Sequence, residues 1–187
     1  MIAGTARGTK LKTAKGLLVR PTADRVKEAL FNIIGARIIG ATFLDLYAGS
    51  GAIGIEALSR GAQSCIFVER EKSNIALIRD NLVKTRLSEK ARLINAAVER
   101  AVVNLALEKV TAELVYLDPP YDLPNVFQVA ESIIKAGITA GGGLLIVEHA
   151  YSNRQWAENF KAVRQKKYGD TGLTFITTSD DIPESCP

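Results

Sequence analysis

From Thr42 onward, short and nearly unbroken apolar runs alternate with stretches whose apolar residues return every three or four positions. The first pattern is that of a strand covered on both faces and the second that of an amphipathic helix, so the order predicts β-α repeats and a parallel sheet. Strands are predicted at Thr42 to Tyr47, Ser64 to Glu69, Arg92 to Ala96, Leu114 to Asp118 and Leu144 to Glu148. Helices are predicted at about Ile53 to Arg60, Ser73 to Leu87, Val98 to Lys109 and Asn125 to Ala136, with Gly61 and Gly137 as C-terminal caps. After His149 the pattern predicts one more helix around Gln155. Two extended runs follow, Ala162 to Tyr168 and Leu173 to Thr178, and Gly169, Asp170 and Gly172 between them suit a hairpin turn.

Ahead of the sheet, Thr22 is expected to cap a helix running to Ile34, with Asp24 in its first turn and Gly35 at its end. Val26, Leu30, Ile33 and Ile34 share one face, so this helix must dock on something apolar. Residues 1–20, rich in Gly, Thr and Lys, are expected as a flexible basic arm or a small hairpin, and residues 180–187 as a frayed tail. The expected fold class is α/β, a doubly wound, mostly parallel Rossmann-like sheet with a C-terminal antiparallel hairpin and a small N-terminal extension.

A length of 187 residues suits one core domain, and 47% hydrophobic with 24% charged residues excludes disordered and collagen-like chains. No apolar run approaches the roughly 20 residues of a membrane span, and MIAGTARGTK lacks a signal peptide's apolar stretch, so the expectation is a cytoplasmic protein without a membrane partner. Cys65, Cys186 and the lone His149 have no metal-site spacing, and no metal is expected. The net charge of +4 is unevenly spread: residues 1–37 hold eight basic residues against Asp24 and Glu28, which leaves the rest slightly acidic. This asymmetry divides the chain into a basic extension, 1–37, and a body, 38–187. Clustered Lys and Arg attract phosphates, so Arg7, Lys10, Lys12, Arg20 and Arg25 are candidates for a polyanion surface.

Gly49-Ser50-Gly51 follows the first strand directly and precedes a helix, where glycines let a ligand approach the backbone near a helix N-terminus. With Gly54 the run matches a dinucleotide fingerprint. Asp45, however, puts a negative charge where phosphates would lie, which favours the ammonium and sulfonium of S-adenosylmethionine over NAD. Glu69 closes the second strand about twenty residues on, where an acidic side chain can accept ribose hydroxyls. Asp118-Pro119-Pro120-Tyr121 ends the fourth strand in a turn that can continue neither as ladder nor as helix. Such a turn aims the Asp118 carboxylate and the Pro119 carbonyl into the crevice beyond the strand ends and offers the Tyr121 ring for stacking on a base. Acceptors so placed suit methylation of a planar exocyclic amine, whose hydrogens must be held while its lone pair turns toward the methyl donor.

The runs LDLYAGSG and DPPY resemble those of class I S-adenosylmethionine-dependent amino-methyltransferases. A narrower resemblance comes from RGTKL at Arg7 to Leu11, RPTADRVKEALFN at Arg20 to Asn32 and AGSGAIGIEALSRGA at Ala48 to Ala62, which are similar to the bacterial small-subunit ribosomal RNA guanine-N2 methyltransferase family. The resemblance implies S-adenosylmethionine as cofactor, ribosomal RNA as partner, within an assembly particle or free, and methylation of a guanine 2-amino group. It implies a donor site of Asp45, Tyr47, Gly49, Ser50, Gly51, Glu69, Arg70 and Ala97. It likewise implies a catalytic set of Asp118, Pro119, Pro120 and Tyr121, and adds Thr22 to the RNA contacts of Arg7, Lys10, Lys12, Arg20 and Arg25. Where many relatives carry Asp or Asn beside adenine, this chain reads Asn95-Ala96-Ala97-Val98, so adenine is expected to meet backbone groups, with Asn95 as a substitute.

The rival readings are a DNA or other RNA amino-methyltransferase acting on adenine N6 or cytosine N4, a non-catalytic RNA-binding protein on the same fold, and an NAD oxidoreductase. His149 is expected to be a packing residue, and Arg164, Lys166 and Lys167 either a second RNA contact or the lysine guard of an edge strand.

Overall fold

In the computed structural model, which describes residues 1–13, 21–120, 126–153, 158, 160 and 162–178, the repeats close into one seven-stranded sheet. The strands are β1 (Thr42–Leu46), β2 (Ser64–Glu69), β3 (Ala91–Asn95), β4 (Ala112–Leu117), β5 (Thr139–Ala150), β6 (Ala162–Tyr168) and β7 (Thr171–Thr177), in the order β3-β2-β1-β4-β5-β7-β6. The first five pair in parallel, while β7 runs antiparallel between β5 and β6. The order reverses between β1 and β4, and in open α/β sheets that point leaves a crevice beyond the carboxyl ends of the strands.

Alternate residues of the central strands feed two cores. Phe43, Phe67, Leu114, Tyr116 and Ile146 pack with α1 (Pro21–Ile34), α2 (Ala52–Ser59) and α3 (Lys72–Thr85). Leu44, Val68, Val115 and Leu145 pack with α4 (Val98–Leu107) and α5 (Val126–Lys135) on the opposite face. Gly54 sets how closely α2 can lie on the sheet: a Cβ there would stand 2.3 Å from Phe67 Cε1 and 2.7 Å from Cys65 Sγ.

Three expectations change. α1 begins at Pro21, so Thr22 lies inside its first turn and does not precede it; proline's fixed φ suits the first helical position. β5 starts five residues before Leu144, because Thr139 already pairs with Ala112 and Gly141 to Gly143, with Gly142 at φ 74°, bulge between that pair and Leu144. Residues 1–13, the described part of the expected arm or hairpin, form turns and irregular chain and are bound to the body. The amides of Ile2 and Ala3 donate to the fully buried Glu56 carboxylate of α2 at 2.9 Å each, and that of Ala6 donates to Ser59 Oγ at 2.9 Å. Ala6 enters the same core as α1. The helix expected around Gln155, the residues near Arg20 and the tail lie outside the described residues.

His149 is a packing residue of β5, 4% exposed. Its ring nitrogens lie 2.9 Å from Ala150 O and from Thr174 Oγ1, and it covers Gly172, where a Cβ would meet the ring at 2.5 Å. Burial lowers its pKa. On the edge strand β6, Lys166 and Lys167 are exposed and Arg164 is half-buried.

Candidate active site

The expected donor loop springs from β1 through Tyr47, which takes φ 60°, a region an aromatic side chain rarely occupies. Such backbone strain collects at ligand sites, where the surroundings hold it in place. Gly49 (φ 54°) and Gly51 (φ 76°) follow. Their freedom serves different ends. A Cβ on Gly49 would meet nothing closer than 4.0 Å, so the chain there borders open space, whereas one on Gly51 would press on Ile78 and Ile55 at 3.2–3.3 Å. Gly51 is thus the left-handed entry to α2, and Gly49 faces open space.

Two carboxylates fix the loop. Asp45, 2% exposed, accepts the Gly54 amide at 2.9 Å through Oδ2 and so occupies the N-terminus of α2. Burial, opposed by the Gly54 hydrogen bond and reinforced by the charge of Glu69, raises its pKa from 3.8 to about 7. Glu69 accepts Gly49 N–H at 2.9 Å on Oε2 and Glu71 N–H at 2.8 Å on Oε1, tying the loop to the end of β2. Beside it Arg70 is exposed and pairs with Glu71 at 3.1 Å. Asn95 donates to Glu69 O at 3.0 Å and Arg70 O at 2.7 Å, which commits its amide N–H groups to the β2 turn. Ala97 is the extended residue before α4, without a side-chain cap. The Tyr47 hydroxyl is buried and forms no hydrogen bond of good geometry, yet Glu99 lies close enough that burial and its charge raise the tyrosine to about 12.

The Asp118 to Pro120 turn stands one strand away. Asp118 is half-buried, its amide bound to Leu46 O at 3.4 Å, and no described residue donates to its carboxylate. Pro119 is buried and Pro120 exposed; Tyr121 lies outside the described residues. Because Asp45 pairs with Tyr116 in register, Asp45, Tyr116 and Asp118 share one face of the sheet. Burial, then the negative charges of Glu148 and Asp45, raise the Asp118 pKa well above the usual carboxylate range. The reading from sequence missed two members of this group, Tyr116 and Glu148, although Glu148 ends an apolar run just as Glu69 does. The Tyr116 hydroxyl donates to Glu148 Oε2, and burial raises the Glu148 pKa.

The RNA candidates fall on two segments. Arg7 and Lys10 are exposed, Lys12 is exposed and pairs with Asp80 at 2.8 Å, and Arg25 is exposed on α1; Arg20 lies outside the described residues. Asn81, fully buried on α3, had no local signal in the sequence. It accepts Lys12 N–H at 2.8 Å and donates to Lys12 O and Ser50 O at 3.0 Å each, so one amide joins the basic arm to the donor loop.

Residues 1–177 match the family described as Conserved hypothetical protein 95. Ribosomal RNA small subunit methyltransferase D of Escherichia coli K12 is 34% identical over 153 residues, covering 82% of this chain and 75% of that protein. The solved structure of a hypothetical protein of Thermus thermophilus superposes with a TM-score of 0.80 at 28% identity, covering 94% of this chain and 96% of the other. A third structure, solved as a complex with SAH, shares the fold at a TM-score of 0.72 and 18% identity, over 87% of this chain and 51% of that one.

Proposed function

The chain belongs to the Conserved hypothetical protein 95 family, a ribosomal RNA methyltransferase family on an S-adenosylmethionine-dependent fold, and within it we propose transfer of a methyl group to the 2-amino group of a guanine in small-subunit ribosomal RNA. S-adenosylmethionine is the cofactor, and it supplies an electrophilic methyl group carried on a sulfonium. The residues fit it: the space a Gly49 Cβ would enter is open, and two carboxylates, Asp45 and Glu69, border the loop.

In this reading Gly49 and the Ser50 backbone hold the cofactor's amino-acid end near Asp45, and Glu69 receives its ribose. Asp118 accepts one amine hydrogen and the Pro119 carbonyl the other. This turns the nitrogen lone pair out of conjugation with the ring and toward the methyl carbon. As the N–C bond formed, the S–CH3 bond of the sulfonium would break and leave a neutral thioether, and the amine would lose a proton, for which Asp118, raised by burial, is a suitable first acceptor. A guanine in folded RNA has to leave its stack to reach the crevice, and Tyr121 would receive its face. The basic residues Arg7, Lys10, Lys12 and Arg25 would hold flanking phosphates.

The observation that carries the reading is the Asp118 carboxylate, on the same sheet face as Asp45 and free of donors among the described residues, at the reversal point of the strand order. Its test is tritiated methyl transfer onto naked small-subunit RNA, mature subunits and partly assembled particles, followed by nucleoside analysis. N2-methylguanosine is expected. N6-methyladenosine or N4-methylcytidine would replace the guanine assignment, and no transfer to any RNA would overturn the enzyme reading.

A further inference from the structure

We propose that Glu148 is the residue that selects guanine, by accepting the N1–H of the target base while Asp118 accepts a hydrogen of the adjacent 2-amine. The inference rests on the guanine-N2 reading and assigns its specificity to a side chain outside the Asp118 to Tyr121 turn.

Leu117 and Val147 are partners across the β4–β5 ladder, so Asp118, the first residue after β4, stands beside Glu148, still within β5, on the same face. Parallel neighbours lie about 4.8 Å apart, so two side chains on one face of adjacent strands can converge on a single base edge. The Tyr116 hydroxyl donates to Glu148 Oε2 and fixes the carboxylate from below. No described residue donates to Oε1, and Glu148 is only half-buried, so that oxygen is left for a ligand. Burial raises both carboxyl groups, and the charge of Glu148 adds to the rise at Asp118; N–H donors arriving from a base would relieve that cost.

Among the bases that carry an exocyclic amine, only guanine sets a ring N–H beside it. Adenine places the N1 lone pair there, and cytosine the N3 lone pair. A carboxylate facing either lone pair is repelled, so Glu148 would reject adenine and cytosine as well as hold guanine. A site built to receive a hydrogen bond discriminates strongly against an analogue that lacks the donor.

The test replaces the mapped target guanine, in a ligated RNA, by 2-aminopurine, which keeps the 2-amine but turns N1 into an acceptor. Wild-type protein should methylate guanine faster than 2-aminopurine by at least about tenfold. Glu148→Gln presents an amide that can donate to N1, so its ratio should fall toward unity or invert. The ratio is taken within each protein, so loss of folded fraction cancels. If Glu148→Gln yields no soluble protein, Glu148→Asp, which withdraws the acceptor by one methylene, should lower the ratio in the same direction. N2-methylguanosine as product with an unchanged ratio in the variant would overturn the role of Glu148 alone. A product other than N2-methylguanosine would overturn the reading it rests on.

Discussion

Replacing Asp45 by asparagine should stabilise the protein above neutral pH relative to its stability at pH 4, because the wild type carries a buried charge there that folding alone does not favour. Asp45 is 2% exposed, and its carboxyl rises from 3.8 to about 7 on folding, chiefly through burial. Below pH 4 the group is protonated folded and unfolded alike, and it contributes no pH dependence. Between about 4 and 7 the folded chain retains a proton that the unfolded chain has released, so stability falls as pH rises; above 7 the loss is complete and constant. At about 1.4 kcal/mol per pH unit the gap amounts to about 4 kcal/mol, a large share of an ordinary domain's net stability.

Asparagine keeps an acceptor for the Gly54 amide but has no charge to desolvate. Its NH2 group adds a cost that does not vary with pH, so the diagnostic quantity is the change in the mutant-minus-wild-type difference between pH 4 and pH 8.5. Urea unfolding of both proteins at those two values should show that difference moving by about 4 kcal/mol in favour of asparagine. Affinity for S-adenosylmethionine, read by calorimetry at pH 8, should move the other way and fall about tenfold or more, since a charge-assisted contact is lost. A stability difference that does not change with pH would refute the buried-charge argument, and an unaltered affinity would detach Asp45 from the cofactor.

Asp118→Ala should leave cofactor affinity within about twofold and reduce single-turnover methyl transfer about a hundredfold, by analogy with removing one preorganised hydrogen-bond partner from an oxyanion hole; wild-type turnover would make the turn a structural one. Reversing Arg7 and Lys10 to glutamate should weaken RNA binding and flatten its salt dependence by a slope of about 1 to 2, measured by filter retention with cofactor binding as the folding control. Glu56→Ala leaves the Ile2 and Ala3 amides and Arg60 without their shared carboxylate, at a cost of about 3 kcal/mol, and hydrogen exchange at Ile2, Ala3 and Ala6 should lose its protection.

The sheet was legible because its central strands are buried on both faces and read as unbroken apolar runs; β2 begins and ends where the pattern places it, and so does β6, the exposed edge strand set off by its flanking turn residues. It was less legible where another force took over. At Gly141 to Gly143 the strand bulges, with Gly142 at φ 74°, between the Thr139 and Leu144 pairings, a feature that no apolar run marks. Residues 1–13 looked like a free arm because what binds them, Glu56, Ser59 and Asn81, lies more than fifty positions away and reads locally as ordinary helix. At the site, Glu69 and Asp118 could be found as acidic residues ending apolar runs, and Asp45 as one set inside the first run just before the glycine turn. The division of labour between Gly49 and Gly51 could not, since it depends on Ile55 and Ile78 packing behind one glycine and open space beside the other.

The place of β7 bears on how the protein is made. Every residue of β7 is buried, and it fills the gap between β5 and β6, so the strand that carries Glu148 stays an exposed edge until nearly all of the described chain has left the ribosome. A nascent chain halted before Thr171 would present Leu144 to Val147 along an unpaired border, the kind of surface that recruits other strands. Premature stops before Thr171 should therefore produce aggregates and not merely a shortened enzyme.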